Sequence, residues 1–356
     1  QMQENAANML GKIIRAQTQQ ILSNFLNADD EYAAAAMHRH IATEKQIVAA
    51  RRDGQTAYQN TQTTQDSRQV TLQALDQSVN STASLMNIYR LDKNSRMITQ
   101  GEFRYAKDKT DNISKHMNVR AAFEHFDRRT GTLGAAIGTS FSKSSLVSPK
   151  PSSGEHNLIF TTLYGVKTLR DDLFVETHLS VGLGKGTVRH SAGLEQWRST
   201  YDSRFVSMGL STSGVIEVKR YAANGRQSDF EIWPTLSLQY GLAKSSDIRA
   251  GFTYGSIFES IAVAAGDVKT TKLTLTPKFK FDLAPGKRLF MADQVTIEPS
   301  LICTHTKAAI NRKGCGFGLG FGLERKKDSH QFFRMQLQNS GDGESLSTAA
   351  RLSIPF

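Results

Sequence analysis

From about residue 97 to Phe356, apolar and polar residues alternate with a period of two. This alternation constrains the fold more than any other feature of the sequence. Clear runs begin at Leu173, Val206, Phe230 and Leu273. Strict alternation over eight to twelve residues indicates strands with one apolar face. Because it continues to the end of the chain without a helical interruption, it predicts an all-β closed sheet or sandwich.

Strand length and interior charge distinguish a membrane barrel from a soluble β-sandwich, the alternative fold. Sandwich strands commonly have five or six residues, whereas a membrane-spanning strand needs about 9–11, and these runs are of the longer kind. Charges also recur on the face opposite the apolar one, where a dry core would exclude them. We therefore predict an all-β transmembrane barrel in the bacterial outer membrane. Its predicted pore-lining charges are Arg120, Glu124, Glu176, Glu231, Lys278, Lys280, Glu298, Arg334 and Arg351.

Composition agrees with a barrel and argues against two other classes. The 356 residues are 39% hydrophobic and 22% charged, which is too polar for a helical membrane protein. In a barrel this polarity is expected, because only every second strand residue faces lipid. The net charge of +11 could indicate a nucleic-acid partner. However, Lys and Arg are spread through loops and alternate strand positions without an aromatic platform, so we predict no nucleic-acid binding.

Loop positions give the strand count. Outer-membrane barrels alternate short periplasmic turns with longer extracellular loops. If residues 228–250 form one long strand with a protruding upper part, the turns at 128–131, 170–172 and 221–228 are all periplasmic. The 304–314 connection is then extracellular. This arrangement predicts about twelve antiparallel strands, with fourteen as the alternative count.

The pattern before residue 95 is different. Proline is absent there, and Gly11 and Gly54 are the only glycines before Gly101. Apolar residues recur at helical spacing in two stripes, which predicts helices. The first stripe is Leu10, Ile14, Ile21 and Phe25, and the second is Val70, Leu75, Val79 and 85–86. We therefore predict a helical segment at 1–69, a second helix with a linker at 70–95, and the barrel at 96–356.

The cysteines predict a disulfide rather than a metal site. Cys303 and Cys315 form an even pair, which suits an oxidising compartment. A bond between them would clamp an extracellular loop; the alternative is two independent thiols. His38 and His40 lie on different helix faces, so we predict no metal site. We also predict no cofactor and no enzymatic activity, because spacing reveals no paired carboxylates, nucleophile or cofactor loop.

Several stretches of the strand region resemble the translocator domains of autotransporters. They are 173–184 (Leu-Phe-Val-Glu-Thr-His-Leu-Ser-Val-Gly-Leu-Gly), Tyr-Asp-Ser-Arg at 201–204, 233–240, the Gly-Leu-Gly-Phe-Gly-Leu-Glu run ending at 324, and 351–356. The resemblance covers roughly residues 95–356. Pro355 departs from the usual Arg- or Lys-rich ending. The terminal residues Leu352, Ile354 and Phe356 are similar to the signal that the barrel-assembly machinery recognises.

This resemblance implies a type V secretion protein that carries an N-terminal passenger to the cell surface. A helix just before the first strand would plug the pore, so residues 70–95 are the predicted plug. Residues 1–69 would be a stalk or passenger remnant. We predict that Gly316, Gly318, Gly320 and Gly322 form a seat for the plug helix, the alternative being that they ease barrel curvature. The expected partners are outer-membrane lipid, lipopolysaccharide, the barrel-assembly machinery and the chain's own passenger.

Two other functions fit the same pattern. One is a dedicated secretion or uptake porin with a periplasmic helical coiled-coil gate, and the other is a structural outer-membrane anchor. The side of the membrane that residues 1–60 occupy separates these from the autotransporter interpretation. No basic-then-apolar leader precedes Gln1, so we expect a processed or trimmed chain.

Overall fold

The computed structural model combines one long helix with a large antiparallel sheet. It describes residues 2–52, 67–75, 78–107, 112–147, 151–170, 172–192, 195–221, 227–254, 257–283, 292–308, 311–325, 330–339 and 346–355. Within these ranges the chain forms α1 (Met2–Arg52) and the strands β1 (Ser67–Leu75), β2 (Ser78–Arg90), β3 (Ser95–Lys107), β4 (Ile113–Asp127), β5 (Gly131–Leu146), β6 (Ser152–Arg170), β7 (Leu173–Ala192), β8 (Glu195–Gly214), β9 (Ile216–Tyr221), β10 (Gln227–Ser245), β11 (Ile248–Tyr254), β12 (Ile257–Val263), β13 (Asp267–Asp282), β14 (Gln294–Lys307), β15 (Arg312–Arg325), β16 (His330–Asn339) and β17 (Leu346–Pro355).

The strands close into a barrel. β1 pairs with both β2 and β17, and β8 pairs with β10, so no break remains in the ring of described strands. Three positions in the ring are each made of two successive strands: β8 with β9, β10 with β11, and β12 with β13. The described strands therefore occupy fourteen positions, the higher of the two predicted counts. The long merged strand expected at 228–250 is β10 continued by β11.

The prediction of a plug helix at 70–95 is wrong. Ser67–Leu75 and Ser78–Arg90 are strands, and the barrel therefore begins at Ser67 rather than at residue 96. Their register is continuous: Val70 lies opposite Leu352 on β17 and opposite Ala83 on β2. An open sheet edge in lipid leaves backbone N–H and C=O groups without partners. Closure of the ring thus outweighs the helical spacing of the apolar residues in this segment.

The barrel is apolar outside and polar inside. Exposed large hydrophobic side chains follow the outer face of successive strands, for example Ile137, Ile159, Leu183 and Phe317. The residues between them point inward and include polar side chains, such as Ser180 and Ser207, as well as apolar ones that pack on α1, such as Phe160. Successive side chains in a strand point to opposite faces, so one alternating pattern produces both surfaces.

The two ends of the barrel differ. We call the end where β1 begins and β17 ends the terminal end, and the opposite end the far end. The connections at 91–94, 128–130 and 171–172 lie at the terminal end. At 91–94 the Asp92 carboxylate accepts the backbone N–H groups of Asn94 and Ser95, both at 2.7 Å. These bonds to the ionised carboxylate lower the pKa of Asp92. β7 and β8, with 20 residues each, are the longest described strands and extend toward the far end.

α1 lies inside the barrel and contacts β5–β8, β10, β12 and β13. Its amino-terminal part packs on Val188 and Trp197 near the far end. Its carboxyl-terminal part packs on Ile98 and Phe174 near the terminal end. Buried α1 residues extend from Ala6 to Ile41, about 50 Å at 1.5 Å per residue. That length exceeds the roughly 30 Å hydrocarbon core of a bilayer, so α1 passes through the whole lumen.

Within the described ranges, no helix has the combination of length and apolarity that crossing a membrane as a helix requires.

Candidate functional site

The lumen with α1 inside it is the candidate functional site, and apolar packing forms its first layer. Leu10, Ile14, Ile21 and Phe25, the first predicted helical stripe, are all buried against the wall. The Phe25 ring meets Phe160 edge-on at a centroid distance of 5.3 Å. α1 is therefore seated along a defined face.

Glycines allow this close approach. A Cβ added at Gly241 on β10 would lie 2.7 Å from Leu26 of α1, and one at Gly154 on β6 would lie 2.3 Å from Gln17. On the helix side, a Cβ at Gly11 would lie 2.9 Å from the backbone oxygen of Ala264. Small residues on both partners thus bring helix and wall into contact.

Three consecutive acidic residues of α1 bind three different strands. The Asp29 carboxylate lies 2.6 Å from the guanidinium of Arg120 on β4, and both side chains are at most 2% exposed. Asp30 pairs with Lys272 on β13 at 3.0 Å. Glu31 lies 3.7 Å from Arg104 on β3. Consecutive helix residues point about 100° apart, so these contacts, which we call the acidic collar, hold α1 from several sides.

A second ionic cluster lies nearer the terminal end. Glu124 on β4 pairs with Arg39 of α1 and with Arg96 on β3. The Tyr164 hydroxyl donates to Glu124 at 2.9 Å and shares a 2.9 Å hydrogen bond with Tyr32 of α1. Glu124 is buried, and each of these contacts stabilises its charge. The cluster therefore links the helix to β3, β4 and β6.

Neutral hydrogen bonds complete the attachment of α1. Tyr201 donates to Gln17 at 3.1 Å, and Thr18 and Ser245 share a hydrogen bond at 2.9 Å. His40 bonds Thr132 at 2.9 Å and Thr168 at 2.8 Å. All of these contacts are side-chain interactions without covalent bonds, so the helix is held firmly but reversibly.

The described residues predicted to line the pore lie on the inner face. Arg120, Glu124, Glu176, Lys280 and Glu298 are buried, and Glu231 and Lys278 are half-buried. Glu176 contacts His178 at 3.1 Å. The side chains of Arg334 and Arg351 lie outside the described residues, although their backbones pair on β16 and β17.

Four of the predicted charges meet in one cluster with Glu324, which was not among the predicted pore-lining residues. Lys278 and Lys280 both pair with Glu324, the latter at 3.0 Å, and Lys278 also lies 3.3 Å from Glu298. Lys280 sits 4.2 Å from the Trp233 ring centroid, and the Trp233 indole donates to Glu231 at 2.8 Å. The charges are thus compensated within the wall.

The predicted glycine seat faces the lumen, but the described part of the segment it was meant to accommodate forms strands. Gly316, Gly320 and Gly322 are buried and Gly318 is half-buried, while Ser67–Leu75 and Ser78–Arg90 are strands. A Cβ at Gly320 would first meet Glu298 of β14, at 3.2 Å, and not α1. Gly154 and Gly241 are wall glycines at which α1 does approach closely.

Cys303 and Cys315 are directly opposite on β14 and β15 and form a disulfide, as predicted. It lies toward the far end, below the 308–311 connection. Leu352 and Ile354 pair with Val70 and Arg68 of β1, and Phe356 lies outside the described residues. Across the described part of the chain, no group of three or more His, Cys, Asp or Glu side chains is arranged to hold a metal ion.

Sequence reasoning missed the acidic collar and its partners. A signal was present: residues 16–28 carry no charge, and Asp29, Asp30 and Glu31 then follow consecutively in a helical segment. Three adjacent acids point in different directions, which suits a helix surrounded by a charged wall better than a stalk in water. The basic partners could not be paired with them without knowing the register of the strands.

Comparison with known proteins gives fold resemblances at low identity. No protein-family model and no curated relative matches the chain. The translocator domain of the autotransporter NalP from Neisseria meningitidis is 12% identical with a TM-score of 0.44, over 92% of this chain and 97% of that one. The β domain of the Bordetella autotransporter BrkA is 11% identical with a TM-score of 0.41, over 82% and 99%. The TodX monoaromatic hydrocarbon channel is 9% identical with a TM-score of 0.46, over 82% and 89%.

At these identities and TM-scores, none of the three structures establishes a family or an activity for the chain. The closed ring, the apolar exterior and the polar, ion-paired interior are properties of its own structure. Together they are the architecture of bacterial outer-membrane barrels. The chain is an outer-membrane β-barrel protein.

Proposed function

We propose that the chain is the translocator and anchor of an autotransporter, with α1 as the segment that remains in the pore and an N-terminal passenger beyond it. The observation that carries this proposal is the direction of α1. Its amino end packs at the far end and its carboxyl end at the terminal end. Any polypeptide that precedes α1 would therefore leave the barrel at the far end.

The orientation in the membrane is inferred from the strands that extend beyond the others. Short turns are typical of the periplasmic side, and longer extensions are typical of the outside. Connections of two residues occur at both ends, at 76–77 and 193–194 at the far end and at 171–172 at the terminal end, whereas the longest strands, β7 and β8, extend toward the far end. With the terminal end in the periplasm, the amino end of α1 faces the cell exterior.

The chemistry of the lumen suits a conduit for polypeptide. Its buried wall is rich in hydroxyls, among them Ser180, Ser203 and Ser207. Such groups can exchange hydrogen bonds with a passing backbone. Lys278, Lys280, Glu298 and Glu324 pair with one another within the wall, so these charges stay compensated while a chain is in transit. The reversible contacts of α1 would form once transport is complete and then close the pore.

A protease-accessible tag after Glu4 tests this proposal in intact cells that express the chain behind a secretory leader. We expect cleavage from outside, because Glu4 lies at the far end. A matched tag in the 128–130 turn, at the terminal end, should be protected until the outer membrane is permeabilised.

Protection of the Glu4 tag in intact cells would contradict the proposal. If the 128–130 tag were then cut from outside, the barrel would be inverted. If both tags were protected, the helix would start in the periplasm, and the secretion or uptake porin or the anchor would be the better interpretation.

A further inference from the structure

Basic side chains form a row on the outer surface of the barrel near the far end. The row contains Arg204 on β8, Lys244 on β10, Lys269 on β13, Lys307 on β14 and Lys313 on β15. All five are exposed. Strand pairing makes the row continuous, because Arg204 lies opposite Lys244 and Lys269 lies opposite Lys307. Lys313 lies opposite His305, two residues from Lys307 on the same strand.

This row of like charges destabilises the barrel when no ligand is bound to it. Like charges directly opposite each other on neighbouring strands destabilise a sheet, and here two such pairs stand side by side. Lys244 has a carboxylate, Asp267, at 3.9 Å. Within the part of the chain that the structure describes, no ion pair compensates Lys269, Lys307 or Lys313. An anionic ligand bound from outside would relieve this repulsion.

The row lies at the upper border of the lipid-facing band. On β13 the outward side chains from Leu273 to Phe281 are all apolar. They span about 27 Å along the strand, or about 20 Å of membrane depth at the usual strand tilt. Toward the far end, the next outward residues beyond Leu273 are Thr271 and then Lys269. On β10, Lys244 stands above Leu242 and Tyr240 in the same way. The row is therefore at the level of lipid headgroups.

We infer that this row is a binding surface for the phosphate groups of the glycolipid that forms the outer leaflet, namely the lipid A part of lipopolysaccharide. The spacing between neighbouring strands, about 4.8 Å, places two or three ammonium or guanidinium groups around one phosphate. Phospholipid of the inner leaflet would meet the terminal end instead. The assignment to the outer leaflet rests on the orientation proposed above.

Binding of lipid A by the purified, folded chain in zwitterionic detergent tests the inference. The variant Lys269→Gln/Lys307→Gln removes one opposed pair. Each basic group near an anionic surface contributes roughly fivefold in affinity, so we expect a loss of about 25-fold. The control, Lys93→Gln/Lys167→Gln, makes the same change in charge at the terminal end and should bind as the unmodified chain does.

Further binding measurements distinguish the possible sources of phosphate, and a second variant replaces the first if the first misfolds. Dephosphorylated lipid A should bind the unmodified chain weakly, and inorganic phosphate should not displace lipid A. Arg204→Gln/Lys244→Gln gives a second, independent pair if the first variant does not fold. Full affinity in both folded variants, or equal binding of the dephosphorylated lipid, would overturn the inference. Because binding in detergent does not depend on orientation, failure here is distinguishable from failure of the Glu4 tag experiment.

Discussion

The Asp29–Arg120 pair shows at the residue scale how α1 is held in the lumen. The two side chains are almost fully buried and 2.6 Å apart, and the Arg120 guanidinium also lies 4.7 Å from the Tyr32 ring centroid. Removing one partner of a buried pair leaves an uncompensated charge, which usually costs more than the pair contributes. The pair therefore adds little net stability and mainly fixes the position of α1 in the lumen.

We predict that Arg120→Met lowers the free energy of unfolding by about 3–5 kcal/mol, measured by denaturant titration in detergent. The double variant Asp29→Asn/Arg120→Met should recover much of that loss, because no buried charge is left unpaired. Lys143→Gln is the control: its ion pair with Glu155 is exposed and contributes about 1 kcal/mol or less. Equal losses in the single and double variants would contradict this account.

At the element scale, the contact between α1 and the wall depends on small residues. Gly11 lies against the Ala264 carbonyl, and a backbone atom cannot move aside as a flexible side chain can. A larger side chain there would push the helix from its seat.

We predict that Gly11→Leu increases single-channel conductance in planar bilayers and costs about 1–3 kcal/mol of stability, as overpacking does. Gly101→Leu is the matched control, because no atom lies within 4 Å of a Cβ at that position. It should leave conductance unchanged. If Gly11→Leu changed neither conductance nor stability, α1 would not be seated as described.

Elements were predictable where one pattern decided them. Strict alternation indicated the strands from β3 onward, and the apolar stripe from Leu10 to Phe25 indicated α1. Residues 67–90 could not be assigned in this way, because spacings such as Val70–Leu75–Val79 fit a helix. Their strand pairing is decided by β17, more than 250 residues away in sequence. Non-local closure of the ring is not visible in a local pattern.

At the scale of the whole molecule, α1 fills a closed barrel, and apolar packing, ion pairs and hydrogen bonds together hold it there. Under the proposed function, this plug forms after a chain has passed through the barrel. The lumen charges were predictable as a class from their alternation with apolar residues. Their partners were not, because pairing Asp30 with Lys272 needs both the strand register and the rotation of α1.

The acidic collar gives a test of plugging. We predict that Asp29→Asn/Asp30→Asn/Glu31→Gln increases conductance strongly, because it removes the ionic contacts with Arg120, Lys272 and Arg104 together. The control, Glu155→Gln/Asp202→Asn/Asp267→Asn, makes the same change in charge on the outer face and should conduct like the unmodified chain. Equal conductance in both variants would show that the collar does not hold the helix.

The central claim is that α1 occupies the lumen in the register of this structure, and a cross-link tests it most directly. The hydroxyls of Thr18 and Ser245 are 2.9 Å apart, so we predict that Thr18→Cys/Ser245→Cys forms a disulfide in intact cells. The background is Cys303→Ser/Cys315→Ser, and Thr18→Cys/Ser191→Cys, with Ser191 on the outer face, is the control that should stay unlinked. A shift in gel mobility, reversed by reductant, in the first variant alone would support the account. No cross-link in a folded barrel, or equal cross-linking in the control, would contradict it.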